Sequence, residues 1–490
     1  MVLNVIIQII STSVLARILS PNDYGLMAIV NVILGFGSYF AQMGIGAAII
    51  QKKDLSDKDI SSAYFIALIV SSFFTLIIIL LAPFATLLFH DAGVVKILRV
   101  MSINFIFQSV SMVSISLLRK EFHFFLLGTL DFISSLIGSM CLGIILALLG
   151  FGVWSLVMST ILQGFLLLIL TSFYVRGHIK LVKPNLFSTR GLINYGGKYS
   201  LSNFIEYLTY RSDALIIGHF FAPSLLGIYN RAYLLVQLPT QYISTNLIKV
   251  LFPTLNEVRL DKERFYKYYS TLIKLLGFVL FGACIFIGVN AREVVITILG
   301  AKWTGSITVL RLLSLAIPFH LLINYQGLVY DVYNFLNIKL IIKLVHFAVI
   351  ITLFYTFLSL GINGIALGFL VTESLLYIGY LIFSMRMLKI EMKEVIRLHK
   401  PYVFIILIVG IPSLIINLIC SSLGSNIIMI FGLEITFVPI IVVMMILYFP
   451  SSELKRMVRE FCFDGESVIR VTENNFITEL LNKFIKKMAA

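Results

Sequence analysis

The sequence is poor in charge. Of 490 residues only 13% are Asp, Glu, Lys or Arg, about half the share found in soluble domains. Hydrophobic residues make up 59%, and the mean hydropathy is +1.00. Such a chain has too little polar surface to cover itself in water, so its solvent is lipid. Cysteine is scarce as well. Cys141, Cys284, Cys420 and Cys462 lie scattered without CxxC spacing, which argues against a disulfide framework and indicates no metal site. There is no GxxxxGK[ST] loop, no cofactor motif and no catalytic constellation. Met1 leads into an apolar run with no basic n-region and no small-residue cleavage site, so that run reads as a spanning helix rather than a signal peptide. The net charge of +14 then points to cytoplasmic loops facing anionic lipid, not to nucleic acid.

What is present in abundance is long apolar runs. A hydrocarbon core of about 30 Å needs about 20 apolar helical residues. Cutting at polar and Gly/Pro punctuation gives spans near 2–19, 25–50, 62–89, 96–118, 124–149 and 151–174. After a basic connector come 199–220, 224–250, 268–290, 305–326, 336–358, 362–386, 401–420 and 426–449. These runs are too long for barrel strands, and backbone groups in lipid must be satisfied internally, so the expected fold is all-α and polytopic with about 14 transmembrane helices. With both termini on one side, 27 of the 38 Lys and Arg fall in that side's loops and tail, and five in the opposite loops. That asymmetry puts both termini in the cytoplasm.

The chain also repeats itself. Arg17-Ile-Leu-Ser-Pro21-Asn-Asp-Tyr-Gly25 recurs as His219-Phe-Phe-Ala-Pro223-Ser-Leu-Leu-Gly227, and Leu98-Arg99-Val-Met-Ser102 as Leu310-Arg311-Leu-Leu-Ser314. Phe107-Gln108 meets Phe319-His320 in the same register, and Gly152 meets Gly364. Two parallel six-helix bundles follow: an N-lobe over 1–174 and a C-lobe over 199–388, joined by the basic connector 175–198. Two extra helices over 389–449 and a cytoplasmic tail over 450–490 complete the expected layout. Paired bundles of this kind imply a cleft between them that opens to either side, the architecture of a secondary transporter. Without a nucleotide site, the driving force would be an ion gradient or the substrate's own gradient.

Ionisable groups at membrane depth are costly, and they face a cavity or a partner. Lys249, Lys274 and Lys343 lie within about two turns of a cytoplasmic boundary, where a lysine snorkels. Asp131 in the fifth span and Glu373 in the twelfth have no such outlet. The seventh span is the most polar, with Glu206 and Asp213 seven residues apart, which puts both on one face of a continuous helix, and Arg211 on a neighbouring face. One reading is a buried Arg–acid lock; the other is a hydrated wall on which Arg211 meets an anion. Arg17 and Arg231 sit toward the outer leaflet, either lining a cavity or locking helix ends. The arginine fork holds phosphate bidentately at any relevant pH, so Arg17, Arg211 and Arg231 are candidates for binding an anionic cargo. Glu206, Asp213, Asp131 and Glu373 are candidates for coupling to an ion.

Several motifs are more specific. Leu15-Ala-Arg17-Ile-Leu-Ser-Pro21-Asn-Asp-Tyr24-Gly25, Asp213-Ala-Leu-Ile-Ile-Gly218, Leu226-Gly227-Ile-Tyr229-Asn-Arg231-Ala232, Leu238-Pro239, Phe252-Pro253 and Leu299-Gly300-Ala-Lys302-Trp303 follow one another over most of residues 10–370. In this order they resemble the Wzx-type polysaccharide flippases of the multidrug/oligosaccharidyl-lipid/polysaccharide export superfamily, near the branch typified by colanic acid and teichuronic acid exporters. The resemblance implies a multi-pass protein of the bacterial inner membrane that turns an undecaprenyl-pyrophosphate-linked oligosaccharide to the outer leaflet. It implies membrane lipid, a polysaccharide polymerase and chain-length machinery as partners, no cofactor and no enzyme activity. A multidrug or cation antiporter of the same superfamily would share the fold and differ in cargo. An integral-membrane polymerase or glycosyltransferase would need acids or a sizeable loop on the outer face, where only Asp23, Asp91 and Glu293 are available.

Overall fold

The computed structural model describes residues 2–42, 45–51, 55–175, 207–257, 260–333, 335–388, 391–423 and 425–448. Among them all regular structure is helical, as lipid demands of a chain with no water to satisfy its backbone. Nine helices among the described residues are long and apolar enough to cross a membrane, with shorter apolar helices at Ile6–Ile18 and Ile427–Val442. Most of the basic connector, Glu206 and the tail lie outside the described residues. The chain parts into two compact units.

Unit 1 comprises Met1–Asn230 with Ile298–Trp303. It opens with α1 (Val2–Ile18), α2 (Pro21–Gln42), α3 (Ile45–Gln51) and α4 (Asp57–Leu81). Next come α5 (Ala85–Phe89), α6 (Gly93–Met101), α7 (Asn104–Lys120) and α8 (Phe124–Ser134). The fifth span widens to i→i+5 bonding over Ser135–Leu142 before α9 (Gly143–Leu148), and α10 (Val153–Val175) follows. There Gln163 donates to the Ser135 hydroxyl at 2.9 Å, the type of local unwinding a π-turn provides. α11 (Ser212–Phe220) and the start of α12 (Pro223–Glu257) complete the unit. The core packs α3, α4, α7, α8 and α10 through Ile49, Ile60, Ala67, Val113, Leu117 and Leu130.

Unit 2 runs from Arg231 to Thr297 and from Thr304 onward. It holds the rest of α12, α13 (Lys262–Val289), the short α14 (Ala291–Val294) and α15 (Ser306–Val332). Beyond these lie α16 (Leu336–Thr356), α17 (Gly361–Leu388), α18 (Met392–Ser422) and α19 (Ile427–Tyr448). α15 packs along α17 and α13, and α13 along α18. The expected start of a span at Pro401 is displaced: α18 begins nine residues earlier, at Met392, with Pro401 buried inside it. A proline removes only one helical bond, and Val395, Leu398 and Tyr402 bury one face around it.

The internal repeat has a local counterpart in the coordinates. A β-carbon on Gly25 would overlap the Pro223 carbonyl, and one on Gly227 would overlap the Pro21 carbonyl. The two copies of the motif therefore cross reciprocally inside unit 1, each glycine admitting the other's proline backbone, as small residues do where membrane helices meet. The second anchor matches bond for bond: Ser102 donates to the Arg99 carbonyl at 2.7 Å, and Ser314 to the Arg311 carbonyl at 2.8 Å. Gly150 and Gly152, at φ +84 and +54, lie just before α10, and Gly361, at φ +66, opens α17, positions that L side chains rarely adopt.

Candidate functional site

In unit 1 the polar candidates lie at helix ends and in helix-to-helix pairs. Arg17 stands exposed in the last turn of α1, where a cation complements the helix dipole. The Leu299–Trp303 segment closes over the same end. Lys302 Nζ donates to the carbonyls of Ile18 and Leu19 at 3.1 and 3.2 Å, and Trp303 Nε1 donates to that of Ala16 at 2.9 Å. These are carbonyls that a helix C-terminus leaves without internal donors. Trp303 is fully buried and meets the Tyr24 ring edge-on at 5.4 Å. The Gly-Ala-Lys-Trp motif thus acts as a helix cap.

Asp131 on α8 accepts from Asn4 Nδ2 of α1 at 2.7 Å. Asp213 is buried in the first turn of α11 and accepts from the Ala214 amide at 2.6 Å. Arg211 is half-buried and stands at the start of α11 with φ −113 and ψ 9. Arg211 forms a turn between the helical residues 207–210 and α11, across which its amide donates to the Tyr207 carbonyl at 2.9 Å; Glu206 lies outside the described residues. Arg231 is half-buried and opens unit 2.

Unit 2 contains a cluster in the body of the membrane helices that sequence spacing does not reveal. Glu373 on α17 is 1% exposed and lies between two imidazoles. His320 Nδ1 of α15 is 3.3 Å from Glu373 Oε2, and His346 Nε2 of α16 is 3.5 Å from Oε1. His320 is 12% and His346 5% exposed. Both distances are those of ion pairs and exceed the about 2.7–2.9 Å of a tight charge-assisted bond, so the group is enclosed without being tightly bonded. Pro318 lies inside α15 two residues before His320. Its missing N–H leaves the Ser314 carbonyl without a helical donor, which gives the helix a place to bend.

A second polar chain runs alongside. Phe319 packs on Phe281 and Tyr377 with ring centroids 5.3 and 5.4 Å apart. The Tyr377 hydroxyl meets His399 Nε2 at 2.9 Å, and His399 Nδ1 meets the Val395 carbonyl at 2.7 Å. A carbonyl only accepts, so Nδ1 carries the proton; in neutral His399, Nε2 then accepts from Tyr377. Tyr402 donates to the Ile273 carbonyl at 2.6 Å. Beside this chain an apolar groove of about 620 Å³ lies between α17 and α18, lined by Leu381, Ile396, Val403, Phe404 and Leu407, with His399 and Lys400 among its walls.

Comparison with known proteins matches the family described as "Polysaccharide biosynthesis protein" to residues 14–308. The lipopolysaccharide biosynthesis protein WzxC of Escherichia coli is 24% identical over 74% of this chain and 74% of its own length. The succinoglycan biosynthesis transport protein ExoT of Rhizobium meliloti is 26% identical over 63% of this chain and 62% of its own. The solved structure of the lipid II flippase MurJ in an inward closed conformation superposes with a TM-score of 0.69 at 14% identity, covering 90% of this chain and 96% of that one.

Proposed function

Because the chain belongs to the polysaccharide biosynthesis protein family, we propose that it is a flippase carrying an undecaprenyl-pyrophosphate-linked oligosaccharide, or a polysaccharide repeat unit, from the inner to the outer leaflet of a bacterial inner membrane. The supporting observation is that a member of this family shares its fold with a lipid II flippase along nearly its whole length. The names of its relatives point the same way: one contributes to lipopolysaccharide biosynthesis and one to succinoglycan transport. The mechanism is alternating access between two six-helix halves supplemented by two C-terminal helices, with both termini in the cytoplasm, as the Lys/Arg asymmetry supports.

In this reading Arg17, Arg211 and Arg231 hold the pyrophosphate through charge-assisted hydrogen bonds. The ion gradient acts through acids at membrane depth, drawn from Glu206, Asp213, Asp131 and Glu373. The polyprenyl chain stays in lipid or in an apolar groove such as the one between α17 and α18. Downstream partners are a polysaccharide polymerase and chain-length machinery.

Depleting the protein in its host tests the reading. A flippase leaves lipid-linked repeat units on the cytoplasmic leaflet, whereas loss of a polymerase accumulates single repeats outside. Outward-facing single repeats would overturn the proposal.

A further inference from the structure

We infer that His320, Glu373 and His346 form a proton-binding site, and that the proton is the coupling ion; the second half of this inference rests on the flippase reading above. The argument begins with cost. A carboxylate at 1% exposure in an apolar helix bundle gives up several kcal/mol of hydration, and a purely structural lock recovers it through short, well-aligned hydrogen bonds. Glu373 lacks these. It faces two imidazoles at 3.3 and 3.5 Å, longer than the about 2.7–2.9 Å of tight charge-assisted bonds, an arrangement that suits a change of charge better than a permanent pair.

Proton arithmetic fits. With Glu373 ionised and one imidazole protonated, the three groups are neutral overall, the state a low-dielectric interior favours. One further proton, on the second imidazole or on the carboxylate, raises the sum to +1. Removal of the first leaves −1. Histidine is the side chain whose charge ordinarily changes between about pH 5 and 8, and three groups this close exchange protons as one cluster. They titrate as a unit.

The chemistry of the groups argues against sodium or another hard cation. Hard cations take shells of oxygen ligands, and this cluster offers two imidazoles and a single carboxylate. Among the described residues no three of His, Cys, Asp and Glu are placed to hold a metal ion.

The groups acting on the Glu373 carboxylate are His320 from α15 and His346 from α16. Along the same helices the next titratable residues are Tyr325, Lys343 and Tyr377. α12 meets α17 through Tyr233, whose ring is 6.3 Å from Phe369, and α13, which packs on α15, carries the buried Cys284. None of these supplies a second acid. Because the three groups sit on three helices, a change in their charge alters the attraction holding α15, α16 and α17 together, and Pro318 gives α15 a bending point two residues away.

The test reads proton binding separately from transport. The full chain, ¹⁵N-labelled at its seven histidines, is placed in lipid nanodiscs and its imidazole resonances are followed by NMR from pH 5 to 8, assigned with His320→Gln and His346→Gln. The expected result is that His320 and His346 change protonation together, and that Glu373→Gln moves their midpoint by at least one pH unit, a tenfold change in proton affinity. Glu373→Asp should move it less, and unchanged His399 signals would report that unit 2 is intact. Imidazoles that hold one protonation state throughout, or that ignore Glu373→Gln, would overturn the site. In proteoliposomes a pH difference should drive movement of a lipid-linked oligosaccharide in the wild type and not in Glu373→Gln; equal drive in both would overturn coupling through this cluster. A cluster that titrates in a protein that moves no such lipid would leave the site standing and overturn the flippase reading alone.

Discussion

The two units differ in where their most enclosed acids lie. In unit 1 the fully buried acids sit at helix starts: Asp59 forms a capping box with Ser56, and Asp213 accepts from the amide of the next residue in the first turn of α11. The rest of the unit's buried polarity is largely serine and threonine hydroxyl turned back onto carbonyls of its own helix, as in Ser71, Ser134, Ser155 and Thr171. Unit 2 also buries an acid at a helix start, Glu293 in the first turn of α14, but its Glu373 and Glu434 lie completely enclosed in the bodies of long apolar helices, where the backbone amides are already engaged in helix bonds. A cap carboxylate keeps one charge and one set of donors, and it holds a helix start in place. A carboxylate at mid-helix, faced by imidazoles, can change its charge. Under the proposed coupling, unit 2 contains the group that responds to a proton.

That contrast can be broken by substitution. The largest loss should come from Gly25→Leu or Gly227→Leu in unit 1, because the new side chain meets a backbone carbonyl rather than a pliable side chain. Overpacking of this kind costs on the order of 3 kcal/mol, and thermal melting in detergent should show it, while Gly128→Ala, with open space around it, should melt near the wild type. Next comes Glu373→Gln, which should leave membrane levels intact and lower pH-driven transport tenfold or more. A retained pH drive would dissolve the distinction between the units. Ser56→Ala should do the reverse, costing about 1 kcal/mol of stability through the lost cap with transport per molecule unchanged. Smallest should be Ser134→Ala, a few tenths of a kcal/mol or less, since a hydroxyl returning to its own i−4 carbonyl adds little to a helix; melting midpoints would detect a larger share.

Much of the fold is legible in the sequence because a spanning helix announces itself over some twenty consecutive residues. The span expected at 124–149 is observed as Phe124–Leu148, and that at 336–358 as Ile338–Thr356. The Pro21/Gly25 and Pro223/Gly227 motifs are legible as a repeat, but their mutual crossing is not, since a close approach between distant backbones leaves no local spacing. The same limit hides the cluster of unit 2. Glu373 stands out as an acid at membrane depth, but positions 320, 346 and 373 share no periodicity, and His320 stands out only as the counterpart of Gln108 in the repeat. The available signal is histidine inside an apolar run, which occurs at both His320 and His346. Arg17 shows the converse: its depth is readable, while the Lys302–Trp303 cap beside it comes from a segment nearly three hundred residues away.

The central claim is that this protein turns a lipid-linked oligosaccharide across a bilayer. The most direct measurement reconstitutes the full chain in vesicles carrying a polyprenyl-pyrophosphate oligosaccharide in one leaflet and follows its exposure to an impermeant sugar-binding reagent. The account predicts that the wild-type protein brings the sugar to the opposite face far faster than protein-free vesicles do. Equal rates with and without the protein, under either direction of a pH difference, would contradict it.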